Sequence, residues 1–340
     1  MLGITSRGLP AYLGGKRVLA PLIFALLSQH VERSAWSEKT FIDPFLGGGS
    51  VSLTAKALGF PVICNDLALR SAVVGRALIA NSSVRLTEAD VLVLLPEPAC
   101  AYRKTAQERF APSVFSAAHA CALDRALFWA GSDAFAEPKR SLARLLAIKW
   151  LLRVQPMSML RGTDAKAAFS GDLDRVSSRR VGHYLRSFSL LEPWAWWRLA
   201  QEVNRGVFPG SGEAHQTDAV AFLADVEGDV VYLDPPYPGT TSYEREYAVL
   251  DELLEGRRYE TSPFSRSADL LTELFRACHQ IPVWLVPFNN SMLSLEELKA
   301  MICPHRPNIA SVRVPYRHLG SIASEEKNAK NEEYIVLATR

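Results

Sequence analysis

The 340-residue chain is 48% hydrophobic and 22% charged, with a formal net charge of +2, the make-up of a soluble globular protein of about two domains. No apolar run approaches the ~18–20 residues a membrane span needs. The one stretch resembling a signal-peptide core, Val18–Leu27, contains Pro21 and lacks a small-residue cleavage site, so a cytoplasmic protein without a membrane partner is expected. Five scattered cysteines with no CxxC pair argue against a disulfide framework and a structural zinc site, and no metal is expected.

In chain order, apolar residues at Val18, Leu19, Leu22, Ile23, Leu26 and Leu27 give the spacing of an amphipathic helix over residues 18–31. Thr40-Phe41-Ile42 is a short strand ending at Asp43 and a glycine-rich turn; helical spacing resumes from Ser50, which falls near the helix N-cap. Pro61–Cys64 is a second strand, ending at Asn65-Asp66, and a further helix runs through Asn81. This alternation predicts βαβ units and a parallel sheet.

From Leu86 to Asn204 the patterns are mainly helical, Ala120–Ala130 and Leu142–Val154 among them, with basic loops between. Between Lys139 and Arg186 eleven Lys or Arg residues face three acids, a local charge of +8 and the footprint of a phosphate-binding surface. Strand signals return at Asp229–Leu233, Val283–Val286, Ile309–Val314 and Glu333–Thr339, the last two reading as an antiparallel hairpin that closes the sheet. The organisation is one α/β domain (residues 1–85 and 205–340) split by a mainly helical insertion (residues 86–204).

Chemistry concentrates at strand ends. Asp43-Pro44-Phe45-Leu46-Gly47-Gly48-Gly49-Ser50 places an acid and glycines at the carboxyl end of a strand, where α/β folds open a ligand crevice. Asp66, about 20 residues beyond the loop, occupies the position that binds ribose hydroxyls in nucleoside-binding folds. The loop lacks the GxGxxG spacing that seats a pyrophosphate, which favours an adenosine ligand without bridging phosphates, as S-adenosylmethionine is. Val230–Leu233 runs into Asp234-Pro235-Pro236-Tyr237, where paired prolines fix φ and remove two backbone donors, so their carbonyls stand as acceptors.

Asp-Pro-Pro-Tyr after an apolar strand resembles the catalytic motif of amino-methylating DNA methyltransferases. With the glycine loop and Tyr12-Leu13-Gly14-Gly15-Lys16 ahead of it, the set resembles the Dam-type adenine-specific family, with Tyr12 where that family usually has tryptophan. The resemblance covers roughly residues 10–82 and 214–340. It implies a Rossmann-like methyltransferase fold using S-adenosylmethionine, with the insertion as target-recognition domain.

It also assigns roles. Asp234, Pro235, Pro236 and Tyr237 would act on a flipped adenine in double-stranded DNA. Tyr12, Lys16, Asp43, Phe45, Gly47, Gly49, Asp66 and Asp218 would hold the cofactor. Phe288-Asn289-Asn290-Ser291 resembles a later family segment beside the target pocket. Arg153, Arg161, Lys166, Arg175, Arg179, Arg180 and Arg186 are the insertion's candidates for DNA contact. A monomer is the family default, and a companion restriction nuclease is compatible with it. Trp194, Trp196 and Trp197 read as core before base-stacking residues. Two other readings stay open: amino-methylation of cytosine, RNA or protein by the same loop, and a silent DNA-binding module that keeps the fold.

Overall fold

The computed structural model describes residues 6–156, 178–236, 243–260, 264, 269–289, 293–314 and 333–340. Seven strands form one sheet: β1 (Phe41–Asp43), β2 (Val62–Asn65), β3 (Gly212–His215), β4 (Val230–Tyr232), β5 (Val283–Asn289), β6 (Asn308–Val314) and β7 (Glu333–Thr339). Their order is β3-β2-β1-β4-β5-β7-β6. The first five are parallel, while β7 runs antiparallel to both β5 and β6. The terminal hairpin is present as expected, with its second strand inside the sheet and its first at the edge.

The sheet is covered on both faces, so β1 and β4 are buried at every residue, as parallel strands usually are. Alternate side chains divide between two cores. Phe41, Val62, Val230, Tyr232 and Leu285 join one cluster, and Ile42, Val231, Trp284 and Val286 the other. The second core is closed by α9 (Ala219–Asp225), α11 (Asp269–Ala277) and α12 (Leu295–Ile302). The first contains α1 (Ala20–Leu27), α2 (Ser50–Ala57) and α3 (Leu69–Val74), whose axis continues through a wider turn at Gly75–Ile79.

Local chemistry shifts two predicted boundaries. Pro21 lies in the first turn of α1, where a missing N–H costs nothing; the helix therefore starts near Ala20, leaving Val18 exposed. The N-cap of α2 is Gly49, not Ser50: Gly49 takes φ 74°, and its absent Cβ would lie 2.8 Å from Val74 Cγ1, a backbone state that favours glycine.

The region between β2 and β3 supplies α4 (Glu88–Val93), α5 (Ala117–Gly131), α6 (Lys139–Val154), α7 (Ser178–Ser187) and α8 (Pro193–Asn204). Helix α6 is buried nearly all round and packs on α5, α8 and α3. Trp150 of α6 stacks on Trp196 of α8 with centroids 4.6 Å apart and planes 15° from parallel. Trp194 is exposed, so only part of the tryptophan cluster is core. These helices share the first hydrophobic cluster with the sheet. Helix α10 (Tyr243–Glu255) packs against α3.

Candidate active site

Strand order reverses between β1 and β4: the chain moves outward through β2 and β3 on one side and β5 on the other. In open α/β sheets this switch point opens a crevice at the carboxyl ends of the strands. Asp43 ends β1, Asn65-Asp66 close β2, Thr217-Asp218 follow β3, and Asp234 follows β4. One cavity gathers them, lined by Tyr12, Lys16, Asp43, Phe45, Gly47, Asp66, Asp218, Asp234, Pro235 and Pro236. All the proposed cofactor residues except Gly49 are on its wall. Gly49 turns inward beneath the loop toward Val74, Leu9 and Leu46.

The glycine loop is held from three sides. Asp66 accepts hydrogen bonds from the Gly47 N–H at 2.8 Å and the Ala68 N–H at 2.9 Å, locking loop to strand end. Asn65 ties neighbouring connections together: its amide donates to the Pro44 and Thr217 carbonyls, and its oxygen accepts from the Thr217 N–H. Tyr12 covers the loop from above. A Cβ on Gly48 would lie 2.5 Å from Tyr12 Cβ, so only glycine permits that approach.

Asp43 is almost wholly buried. It accepts from Ser52 Oγ at 2.6 Å and from the Phe45 N–H at 3.3 Å. Burial pushes its carboxyl up to about 7; the Ser52 hydrogen bond opposes this and the nearby Asp234 charge adds to it. Burial also raises Asp66, against the pull of Arg70. The cavity thus holds four carboxyl groups, Asp43, Asp66, Asp218 and Asp234, and a cationic ligand would relieve the mutual repulsion.

Asp234 contacts Lys16 Nζ at 3.2–3.3 Å and accepts from the Tyr232 hydroxyl at 3.1 Å. Lys16 also donates to the Gly14 carbonyl. Glu333, at the start of β7, is 8% exposed, and its Oε2 has no hydrogen-bond partner among the described residues. Burial raises its carboxyl; Lys16 opposes the rise and Asp234 reinforces it. A buried carboxyl from the hairpin thus lies within electrostatic reach of the Lys16–Asp234 pair, and its position in a charged, otherwise unremarkable segment concealed it in the sequence.

Further residues missed by sequence reasoning form the wall behind Tyr12. Tyr247 of α10 stacks on it with centroids 4.9 Å apart, and the Tyr247 oxygen accepts from the Leu13 N–H at 2.8 Å. Arg70 of α3 lies 4.5 Å above the Tyr247 ring and pairs with Asp251, which is completely buried. Burial outweighs that pairing and pushes the Asp251 carboxyl up to about 6. Tyr259 and Phe264 complete the cavity wall, Phe264 edge-on to Phe45 at 5.4 Å. No local motif marks these positions; tertiary packing assembles them.

Asp218 lines the cavity while capping α9, its Oδ1 accepting from the Val220 and Ala221 N–H groups. Phe288 and Asn289 end β5, whereas Asn290 and Ser291 lie outside the described residues. So do Tyr237, Arg161, Lys166 and Arg175. Arg179, Arg180 and Arg186 belong to α7, Arg186 exposed at its end. Arg153, also exposed, pairs with Glu202 at 3.1 Å. Among the described residues, no group of three or more His, Cys, Asp or Glu side chains is placed to hold a metal ion, and no helix is long and apolar enough to cross a membrane.

Residues 12–105, which include the Tyr12–Lys16 segment, the glycine loop and Asp66, match the family of D12 class N6 adenine-specific DNA methyltransferases. Over 343 aligned residues, 96% of each chain, this protein is 27% identical to the Type II methyltransferase M2.HphI of Haemophilus parahaemolyticus. The two findings support an adenine-specific DNA methyltransferase.

Proposed function

We infer that this adenine-specific DNA methyltransferase draws its methyl group from S-adenosylmethionine bound in the switch-point cavity and delivers it to the amino nitrogen of an extruded adenine at Asp234. The observation that carries this reading is the convergence of the glycine loop, Asp43 and Asp66 with Lys16, Asp234, Pro235 and Pro236 on one cavity. The residues fit such a ligand: a buried carboxyl with a raised pKa suits an ammonium group, Asp66 suits ribose hydroxyls, and the side-chain-free Gly48 lets Tyr12 close over the loop. When bound, the cofactor supplies an electrophilic methyl on a sulfonium.

The protein's part is positioning and electrostatics. An adenine amino nitrogen is a weak nucleophile because its lone pair is delocalised into the ring. Hydrogen bonds from that amino group to the Asp234 carboxylate and the Pro235 carbonyl concentrate electron density on nitrogen. Lys16 and Tyr232 hold Asp234 in place; a carboxylate has about four lone-pair sites, which leaves room for the substrate N–H. Asp234 is also placed to receive the proton released on alkylation. Extruding the base costs a few kcal/mol, and Tyr237 is proposed to stack on it. Target recognition is proposed for residues 86–204, whose basic stretch suits a polyanion. The Type II designation of the relative fits a companion restriction nuclease.

The test is expression in a methylation-deficient host, followed by modification-sensitive sequencing of host DNA. Methylated adenines in one sequence context, abolished by Asp234→Ala, are the expected result. Unmodified DNA from a folded protein that binds S-adenosylmethionine would refute the DNA substrate.

A further inference from the structure

The segment that carries Lys16 into the reaction cleft has a second cavity beside it. Its walls include Arg7, Arg17, Lys149, Arg153 and Glu202, and it encloses about 440 Å³. Four cations against one carboxylate leave three positive charges in one concavity.

Those cations are not equivalent. Lys149 is buried and spends its donors internally: on the Arg7 carbonyl at 2.6 Å, on the Leu9 carbonyl at 3.1 Å, and toward Glu202 at 3.6 Å. It anchors the amino-terminal segment to α6, and burial pulls its ammonium down to about 8. Glu202 is engaged a second time by Arg153 at 3.1 Å. The single acid is therefore shared between these two cations.

Arg17 and Arg7 lack that compensation. Arg17 donates to the Pro10 carbonyl at 2.6 Å, and neither arginine has a carboxylate partner among the described residues. Arg7 and Arg17 are both exposed, so their guanidinium groups are open to an anion that enters the concavity. Guanidinium groups that line a concavity without an anion offer planar forks of N–H donors to a multi-oxygen anion such as phosphate.

Position selects the kind of phosphate. Lys16 meets Asp234 in the reaction cleft, and Arg17 is the next residue, one ~3.8 Å Cα step away on the cavity side. Phosphates along a DNA strand recur every ~3.4 Å of helix axis. An anion on Arg17 thus lies within a few nucleotides of a base at Asp234, the range of the strand that carries the target.

We propose that the cavity lined by Arg7, Arg17, Lys149 and Arg153 seats a backbone phosphate of the DNA strand beside the extruded adenine. Arg17 and Arg7 bind the phosphate oxygens, while Lys149 and the Glu202–Arg153 pair set the cavity's shape. This inference rests on the DNA methyltransferase reading. It adds Arg7 and Arg17, which precede the glycine loop, to the basic stretch from Lys139 to Arg186 that supplies Lys149 and Arg153.

The test measures binding of a fluorescent mixed-sequence duplex across a salt series for wild type, Arg7→Gln, Arg17→Gln and Arg17→Lys, with S-adenosylmethionine affinity measured in parallel. Each lost phosphate contact lowers the slope of log K against log salt by about 0.9. The expected result is a share of that reduction in each of Arg7→Gln and Arg17→Gln, which divide one phosphate between them, partial restoration in Arg17→Lys, and unchanged cofactor affinity. The Arg7 side chain has no partner among the described residues, so its removal leaves the fold intact and provides the check should Arg17→Gln misfold. Wild-type slopes in folded variants of a protein that still methylates DNA would overturn the phosphate seat and leave the enzymatic reading standing. A wild-type protein that neither binds duplex nor methylates it would overturn both. Millimolar inorganic phosphate that stabilises the wild type but not Arg17→Gln, with DNA slopes unchanged, would assign the cavity to a free anion and overturn the DNA contact.

Discussion

Asp43 offers a test of the cavity's electrostatics that needs no DNA. Its carboxyl is raised from an ordinary 3.8 to about 7, principally by burial. Between those values the folded protein holds a proton that the unfolded chain has released, so raising the pH through the window favours unfolding. Roughly three pKa units at ~1.4 kcal/mol each put the loss on the order of 4 kcal/mol, complete above the folded pKa.

A bound ammonium group reverses the preference, because it needs the carboxylate. Below the folded pKa the cavity must give up a proton before binding, so S-adenosylmethionine affinity should fall about tenfold per pH unit between ~pH 7 and ~pH 5.5. An α-amino group stays protonated throughout that range, since its own pKa is near 8. Isothermal titration calorimetry in buffers of different ionisation enthalpy measures both the affinity and the proton released. Asp43→Asn should flatten the pH profile and weaken binding above neutrality by ~1.5–3 kcal/mol, the size of a hydrogen bond to a charged group. A wild-type affinity that is flat across the window, with no proton released, would refute the assignment of Asp43 to the ligand's ammonium.

Other perturbations follow from the packing around the loop. Gly48→Ala places a methyl 2.5 Å from Tyr12 Cβ. The displacement should cost ~1–3 kcal/mol, read as a lower melting temperature and roughly 5- to 150-fold weaker cofactor binding. Arg70→Met leaves the buried Asp251 carboxyl without its ion pair and should destabilise the fold by ~3–5 kcal/mol in urea denaturation. Tyr247→Phe removes the acceptor of the Leu13 N–H while keeping the ring stack. Its expected cost of ~1 kcal/mol should appear in binding of S-adenosylmethionine more than in global stability.

The parallel strands and the glycine loop were legible because buried apolar runs ending in an acid and glycines leave a local pattern. Strand β3 left none: Gly212-Glu213-Ala214-His215 lies at the sheet edge with Glu213 and His215 exposed, so no hydrophobic run betrays it. Helix α6 was legible in extent, although its burial nearly all round depends on neighbours contributed by distant segments. At the site, the Asp43, Asp66 and Asp234 positions could be read from strand ends. Tyr247, Arg70, Asp251 and Glu333 could not. Each acquires its meaning from a partner far along the chain, Leu13 for Tyr247 at a separation of 234 residues.

The seam between β1 and β4 also bears on how the molecule assembles. These strands are neighbours in the middle of the sheet, yet the Thr40 N–H that donates to Asp229 at their base is 189 residues from its acceptor. Closing so long a loop carries an entropic cost that contacts repay only afterwards, and chains dominated by such pairings fold slowly. The intervening helices make shorter-range contacts and can consolidate first, bringing the two halves of the sheet together. Until the seam closes, the edges of β1 and β4 stay open to pairing with other chains. Refolding yield should therefore fall with protein concentration, and the last signal to recover should be cofactor binding, which needs both sides of the seam.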